Sequence, residues 1–196
     1  MGDEFEHRQC IEGGVRSEIW DALGVLYRAT FHDAVIPETL ATEIFTVASR
    51  AAGCRHCQAH GAYGLALRGV ETRRIQALWN FDTSEEFTAR DRAALAFALA
   101  AGQCPNGVMP GHHEALREHF NDTEIGDIFA VVAMSGWLNR YNDSLATVTD
   151  QESVDWATEN LTPVGWSPGK HLGAAEEQRQ AHPARDQRLS RPDDDP

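Results

Sequence analysis

The sequence is poor in positive charge. It has 17 Lys and Arg against 30 Asp and Glu, a formal net charge of −13. This argues against a nucleic-acid partner, because phosphate binding needs a basic face. Long apolar runs are also missing. Nothing approaches the roughly 20 residues that a membrane helix requires, so no membrane partner is expected. The opening MGDEFEHRQC has neither a basic n-region nor an apolar h-region, which predicts a chain without a signal peptide and a cytoplasmic, reducing setting. No segment alternates apolar and polar residues between turn signals, which excludes a sheet-based fold. Cysteine is scarce. There are four, and in a reducing compartment they do not form a disulfide framework. Cys10 and Cys104 stand alone, with no role that the sequence assigns.

Helical periodicity is what remains, and it runs through nearly the whole chain. The class is therefore all-α, in a single domain over residues 1–172. SEIWDALGVLYRATF places Ile19, Leu23 and Leu26 on one face, with Ser17 as a cap. PETLATEIFTVASRAAG opens with Pro37 and Glu38 and carries the stripe Leu40, Ile44, Val47, Ala48 and Ala51 before Gly53. A further helix is predicted from about Cys54 to Leu67, stopping at Gly69. ETRRIQALWNF and GHHEALREHF are short helices. TARDRAALAFALAAG opens with Thr88 and Asp91 in a capping-box arrangement and faces inward through Leu95, Ala98 and Leu99. The longest helix is predicted over about Thr123 to Val148. Residues 173–196 hold one leucine, no aromatics and many charges. They cannot offset their ordering entropy, and a disordered tail is predicted there. Trp166 could pin the Pro- and Gly-punctuated segment before it to the body.

The densest chemistry lies in CRHCQAH, residues 54–60. Residues three apart share a helix face, so Cys54 and Cys57 can approach one another. The first turn favours a thiolate at Cys54, and the second thiol can resolve a sulfenic acid or mixed disulfide formed at the first. His56 lies between them and His60 one turn beyond, both able to carry a proton near neutral pH. Two other readings stay open. The cysteines could be small buried hydrophobes. They could also join a histidine and a fourth ligand around zinc, although no second knuckle stands at a recognisable spacing. A thioredoxin fold would need strands that the sequence lacks.

This combination resembles the carboxymuconolactone decarboxylase superfamily, and within it the alkylhydroperoxidase D-like, peroxidase-related branch. The stretches IPETLATEIFTVASRAAGCRHCQAHGAYGLALRGV, RAALAFALAAGQCPN and GWLNRYNDSLATV carry the similarity over about residues 35–150, most specifically through Gly53-Cys54-x-His56-Cys57. The resemblance implies an all-α bundle assembled as a homo-oligomer, dimer to hexamer, with no cofactor and no metal. It implies that Cys57 attacks a peroxide, that Cys54 closes the disulfide, and that an external thiol reductant resets the pair. It also implies a glutamate and a histidine relaying protons. The family's glutamate position falls on Thr42, with Glu43 beside it. Its histidine position falls on Gly61, one after His60. On the helical wheel Glu38 and Thr42 point away from the Leu40–Ile44–Val47 stripe while Glu43 sits at its edge. Glu43 and His60 are thus the candidates for the relay.

Ile125, Phe129, Val132 and Gly136 form an apolar stripe that Asn139 and Asp143 continue, as pocket lining or as bonds to a neighbouring helix. Arg92 and Arg140 are candidate anchors for a carboxylate substrate. His112, His113 and His119 belong to a surface helix. Trp79, Phe81 and Trp137 are candidate interface residues. Three functions follow: a thiol-dependent peroxidase acting on a peroxide or small organic substrate, a non-redox lactone decarboxylase-like enzyme, and a redox-sensing oligomer.

Overall fold

The computed structural model describes residues 17–173. Cys10 and the predicted tail from residue 174 onward lie outside them. Among the described residues there are eight α-helices and no strand: α1 (Ser17–Phe31), α2 (Glu38–Ala52), α3 (Arg55–Leu67), α4 (Thr72–Ala77), α5 (Ala89–Ala101), α6 (Pro110–His119), α7 (Asp122–Leu145) and α8 (Gln151–Leu161). Three short 3₁₀ turns supplement them, at Leu78–Asn80, Thr162–Val164 and Gly169–His171. No helix among them is long and apolar enough to cross a membrane.

Helix α2 is the axis of the bundle. It packs against α3, α5 and α7, and ten of its 15 residues are buried. The predicted stripe is there, but burial wraps further round and takes in Thr42 as well as Glu43. Thr42 satisfies its hydroxyl by donating to the Glu38 carbonyl at 2.8 Å, which is how a polar residue expected to face outward tolerates burial. The helix ends where Gly53 takes φ +80°. The Cys54 amide then bonds back to the Ser49 carbonyl at 3.1 Å, a left-handed cap that turns the chain sharply into α3.

Two predicted helix faces, one helix end and one interface residue are corrected. In α1, Ile19 and Leu26 are 42 % and 53 % exposed. Leu23 of the predicted stripe does pack against the core, but the buried residues are Trp20, Thr30 and Phe31, with Tyr27 half-buried, because aromatic rings bury more area and find ring partners: Tyr27 stacks on Phe31 at 4.6 Å and Trp20 meets Tyr141 at 6.2 Å. In α7 the core face is Ile128, Val131, Met134, Ser135, Asn139 and Asn142, while Phe129 stays 41 % exposed. That helix stops at Leu145, where Ala146 takes a positive φ. Phe81, read as an interface residue, is buried in the chain's own core. The predicted capping box of Thr88 and Asp91 is present at the start of α5.

Candidate functional site

Cys54 does not lie in the first turn of α3; it caps the helix from just outside. Its sulfur accepts the Cys57 amide at 3.5 Å, the role that a Ser or Asp oxygen usually fills. Both cysteines are reduced and buried. The Cys57 sulfur points into the core and accepts the Asn142 side-chain amide at 3.6 Å. These surroundings separate the two thiols. A hydrogen bond from the Cys57 side chain, joined by the Cys57 and His56 amides, holds the Cys54 thiol below its ordinary range against the opposing effect of burial. Burial pushes the Cys57 thiol well above it. The electrostatics thus favour a thiolate at Cys54, not at the Cys57 that the resemblance makes the attacking sulfur.

The two histidines of the motif make contacts with α8 and the loop before it. His56 is buried with its Nδ1 3.1 Å from the Thr149 hydroxyl. Burial, with help from His60 and His171, pushes its pKa down to about 2. His60 stacks near it at 4.3 Å between ring centroids. Its Nε2 lies 3.1 Å from an Asp150 carboxylate oxygen and its Nδ1 3.4 Å from the Ser153 hydroxyl. Burial lowers its pKa to about 4, with Asp150 opposing. Both rings are neutral at physiological pH.

Glu43 faces inward, but into a different cluster. Arg74 on α4 clamps its carboxylate through two bonds of 2.7 and 3.1 Å, lies 3.5 Å from Asp91, and donates to the Glu86 carbonyl. Burial raises the Glu43 carboxyl while Arg74 pulls it down. Arg92 and Arg140 donate to the backbone carbonyls of Ser84 and Gly136. Position 61, where the family histidine would fall, has no room for a side chain unless Thr46 and Phe45 shift. A Cβ there would stand 2.3 Å from the Thr46 hydroxyl and 3.0 Å from the Phe45 ring.

What stands at the cysteine pair instead comes from the end of the described chain. After α8, residues 162–173 fold back over the start of α3. Trp166 is buried and its indole donates to the Arg55 carbonyl at 3.3 Å. The Thr149 amide donates to the His171 carbonyl at 2.9 Å. His171 is 1 % exposed. Its Nδ1 lies 2.8 Å from the Thr147 carbonyl and its Nε2 3.3 Å from Asp143. The Cys54 sulfur, an Asp143 oxygen and a His171 nitrogen all lie within 4.8 Å of one another. Burial works against the Asp143 carboxylate, yet Lys170, at 2.9 Å, and His171 hold its carboxyl below the usual range. These three donors are the residues that could hold a metal, but the Lys170 ammonium already neutralises the outer oxygen of Asp143. Sequence reasoning reached Asp143 and missed Asn142 and His171. Trp166 was the one signal that this segment docks.

The site and fold define a class: all-helical proteins with a buried cysteine pair where one central helix turns into the next. Neither a family model nor a curated protein matches the sequence. Solved structures do. The debrominase Bmp8 superposes with a TM-score of 0.71 at 26 % identity, over 76 % of this chain and 80 % of that one, and a cysteine-to-alanine variant of it is known in complex with 2,3,4-tribromopyrrole. An alkylhydroperoxidase AhpD core, an uncharacterized peroxidase-related protein from Ralstonia eutropha JMP134, gives 0.63 at 25 % identity over 70 % and 74 %. An uncharacterized peroxidase-related protein from Silicibacter sp. TM1040 gives 0.64 at 22 % over 70 % and 73 %. The chain has the alkylhydroperoxidase D-like fold, consistent with the carboxymuconolactone decarboxylase superfamily.

Proposed function

We propose that the protein is a thiol-dependent peroxidase in which Cys54 and Cys57 supply two electrons to a hydroperoxide. One observation carries this reading: two reduced cysteines share a helix start, with one sulfur held as the better thiolate and the other as a proton-bearing neighbour. A thiolate attacks the outer peroxide oxygen and becomes a sulfenic acid as the alcohol leaves. The second thiol displaces water and closes a disulfide. An external dithiol then returns both cysteines to the reduced state. The test is peroxide-dependent oxidation of dithiothreitol. Turnover is expected in the parent, and Cys54→Ser and Cys57→Ser should each lose it. Full activity in either variant would overturn the reading.

The likeness to Bmp8 favours a second reading on the same pair. In reductive debromination a bromoarene and two thiols would yield the arene, hydrogen bromide and a disulfide. Bromide release from a brominated pyrrole in the presence of dithiol, without peroxide turnover, would select it.

A further inference from the structure

We propose that His171, delivered by the segment over residues 162–173 and steadied by Asp143, is the acid–base partner of Cys54, and that Cys54 is the sulfur that reacts first. The proposal rests on the thiol-peroxidase reading and adds to it the proton path and the order of the sulfurs.

Four observations converge. The Cys54 sulfur, a His171 nitrogen and an Asp143 oxygen lie within 4.8 Å of one another. Both nitrogens of the His171 ring face oxygen acceptors, the Thr147 carbonyl and the Asp143 carboxylate. Glu43 is engaged with Arg74. Position 61 is crowded by Thr46 and Phe45. Meanwhile Cys57 faces Asn142 in the core, a setting suited to a thiol that waits for its partner.

The Cys54 thiolate attacks the outer oxygen of ROOH. The O–O bond breaks, the His171 imidazolium gives its proton to the leaving alkoxide, and the products are Cys54 sulfenic acid, ROH and neutral His171. The Cys57 sulfur then attacks the sulfenic sulfur, and its proton leaves with the hydroxyl as water. Two external thiols reduce the disulfide. One of their protons returns to His171 and the other to Cys57, with Cys54 left as thiolate.

The test uses the full chain in a Cys57→Ser background, so that Cys54 is the only thiol of the pair, with His171→Gln and Asp143→Asn added singly. Two rates are followed against pH: alkylation by iodoacetamide, which needs a thiolate and no proton donor, and oxidation by hydrogen peroxide, with the sulfenic acid trapped by dimedone and located by peptide mass spectrometry. Dimedone is expected on Cys54. His171→Gln should move the alkylation profile to higher pH. At a pH where Cys54 is fully ionised, it should slow peroxide oxidation by roughly 100-fold while alkylation changes less than about 3-fold. Asp143→Asn should likewise slow peroxide oxidation, though less, while its alkylation profile moves little, because the lost carboxylate charge had itself raised the Cys54 thiol; it serves where His171→Gln fails to fold. An unmoved alkylation profile in His171→Gln, or equal losses in the two rates, overturns the proposal. If the alkylation profile shifts while the parent consumes no peroxide, the pairing of His171 with Cys54 stands and the peroxidase reading falls.

Discussion

At position 61 the backbone of α3 rests directly on α2, and this contact decides what the residue can be. Gly61→His, which would restore a histidine where the resemblance places one, is expected to lower the unfolding free energy by at least about 2 kcal/mol through overpacking against Thr46 and Phe45. Urea denaturation measures it, and no gain in peroxide turnover should accompany it. Glu43 tells a related story. It is 2 % exposed and its charge is answered by Arg74. Arg74→Met should cost about 3–5 kcal/mol, because it strands a buried carboxylate, and the loss should shrink as pH falls and Glu43 protonates. The histidines act with the opposite sign. His56 and His60 have folded pKa values of about 2 and about 4, below the roughly 6.5 of an unfolded chain. Stability is therefore complete above about 6.5 and falls as pH drops from there. Each histidine contributes a slope of up to about 1.4 kcal/mol per pH unit until it charges in the fold. Urea midpoints between pH 7 and 4.5 should trace that decline, and His56→Gln should remove one of the two contributions.

At the scale of elements, the buried Trp166 anchors the segment over residues 162–173 to the start of α3. Trp166→Ala would remove its buried anchor and the bond to the Arg55 carbonyl. Labelling of Cys54 by a bulky disulfide reagent is expected to speed up at least 10-fold with helix content unchanged, as local opening becomes easier. An unchanged labelling rate would mean that the cover does not depend on this ring. The helices themselves were readable from the sequence. Gly53, the Thr88–Asp91 box and the α2 stripe are local signals, and local signals suffice where caps and periodicity agree. The burial face of α1 was not readable, because Trp20, Tyr27 and Phe31 compete there with aliphatic residues at the same period, and ring contacts across helices decide between them. His171 was beyond reach for another reason. A 3₁₀ turn in a Pro- and Gly-punctuated segment carries no periodicity, and only the fold brings it to a sulfur far away in sequence. Asn142 was missed by a single position, since a shift of one residue on α7 rotates the stripe by about 100°.

On the scale of the molecule, absence of alternation and helical repeats from end to end predicted the all-α architecture, and the cysteine spacing on a glycine-punctuated hairpin of helices pointed to the right fold family. The resemblance also implies self-association. Ile19, Val25 and Leu26 leave apolar surface exposed along α1, the kind of face that a second copy would cover. Light scattering at micromolar concentration is expected to give a mass greater than one chain, and Leu26→Glu to reduce it. A monomer in the parent would remove that expectation.

Cys54 also ends the helix it serves. The sulfur that closes α3 by accepting the Cys57 amide is a better cap as a thiolate than as half of a neutral disulfide. Whatever stability the reduced fold gains from this bond, the oxidised fold lacks, and the difference appears as reduction potential. About 1.4 kcal/mol corresponds to about 30 mV for a two-electron couple. Removing the amide-to-sulfur contact should therefore make the pair less oxidising, and equilibration against glutathione would read the difference directly.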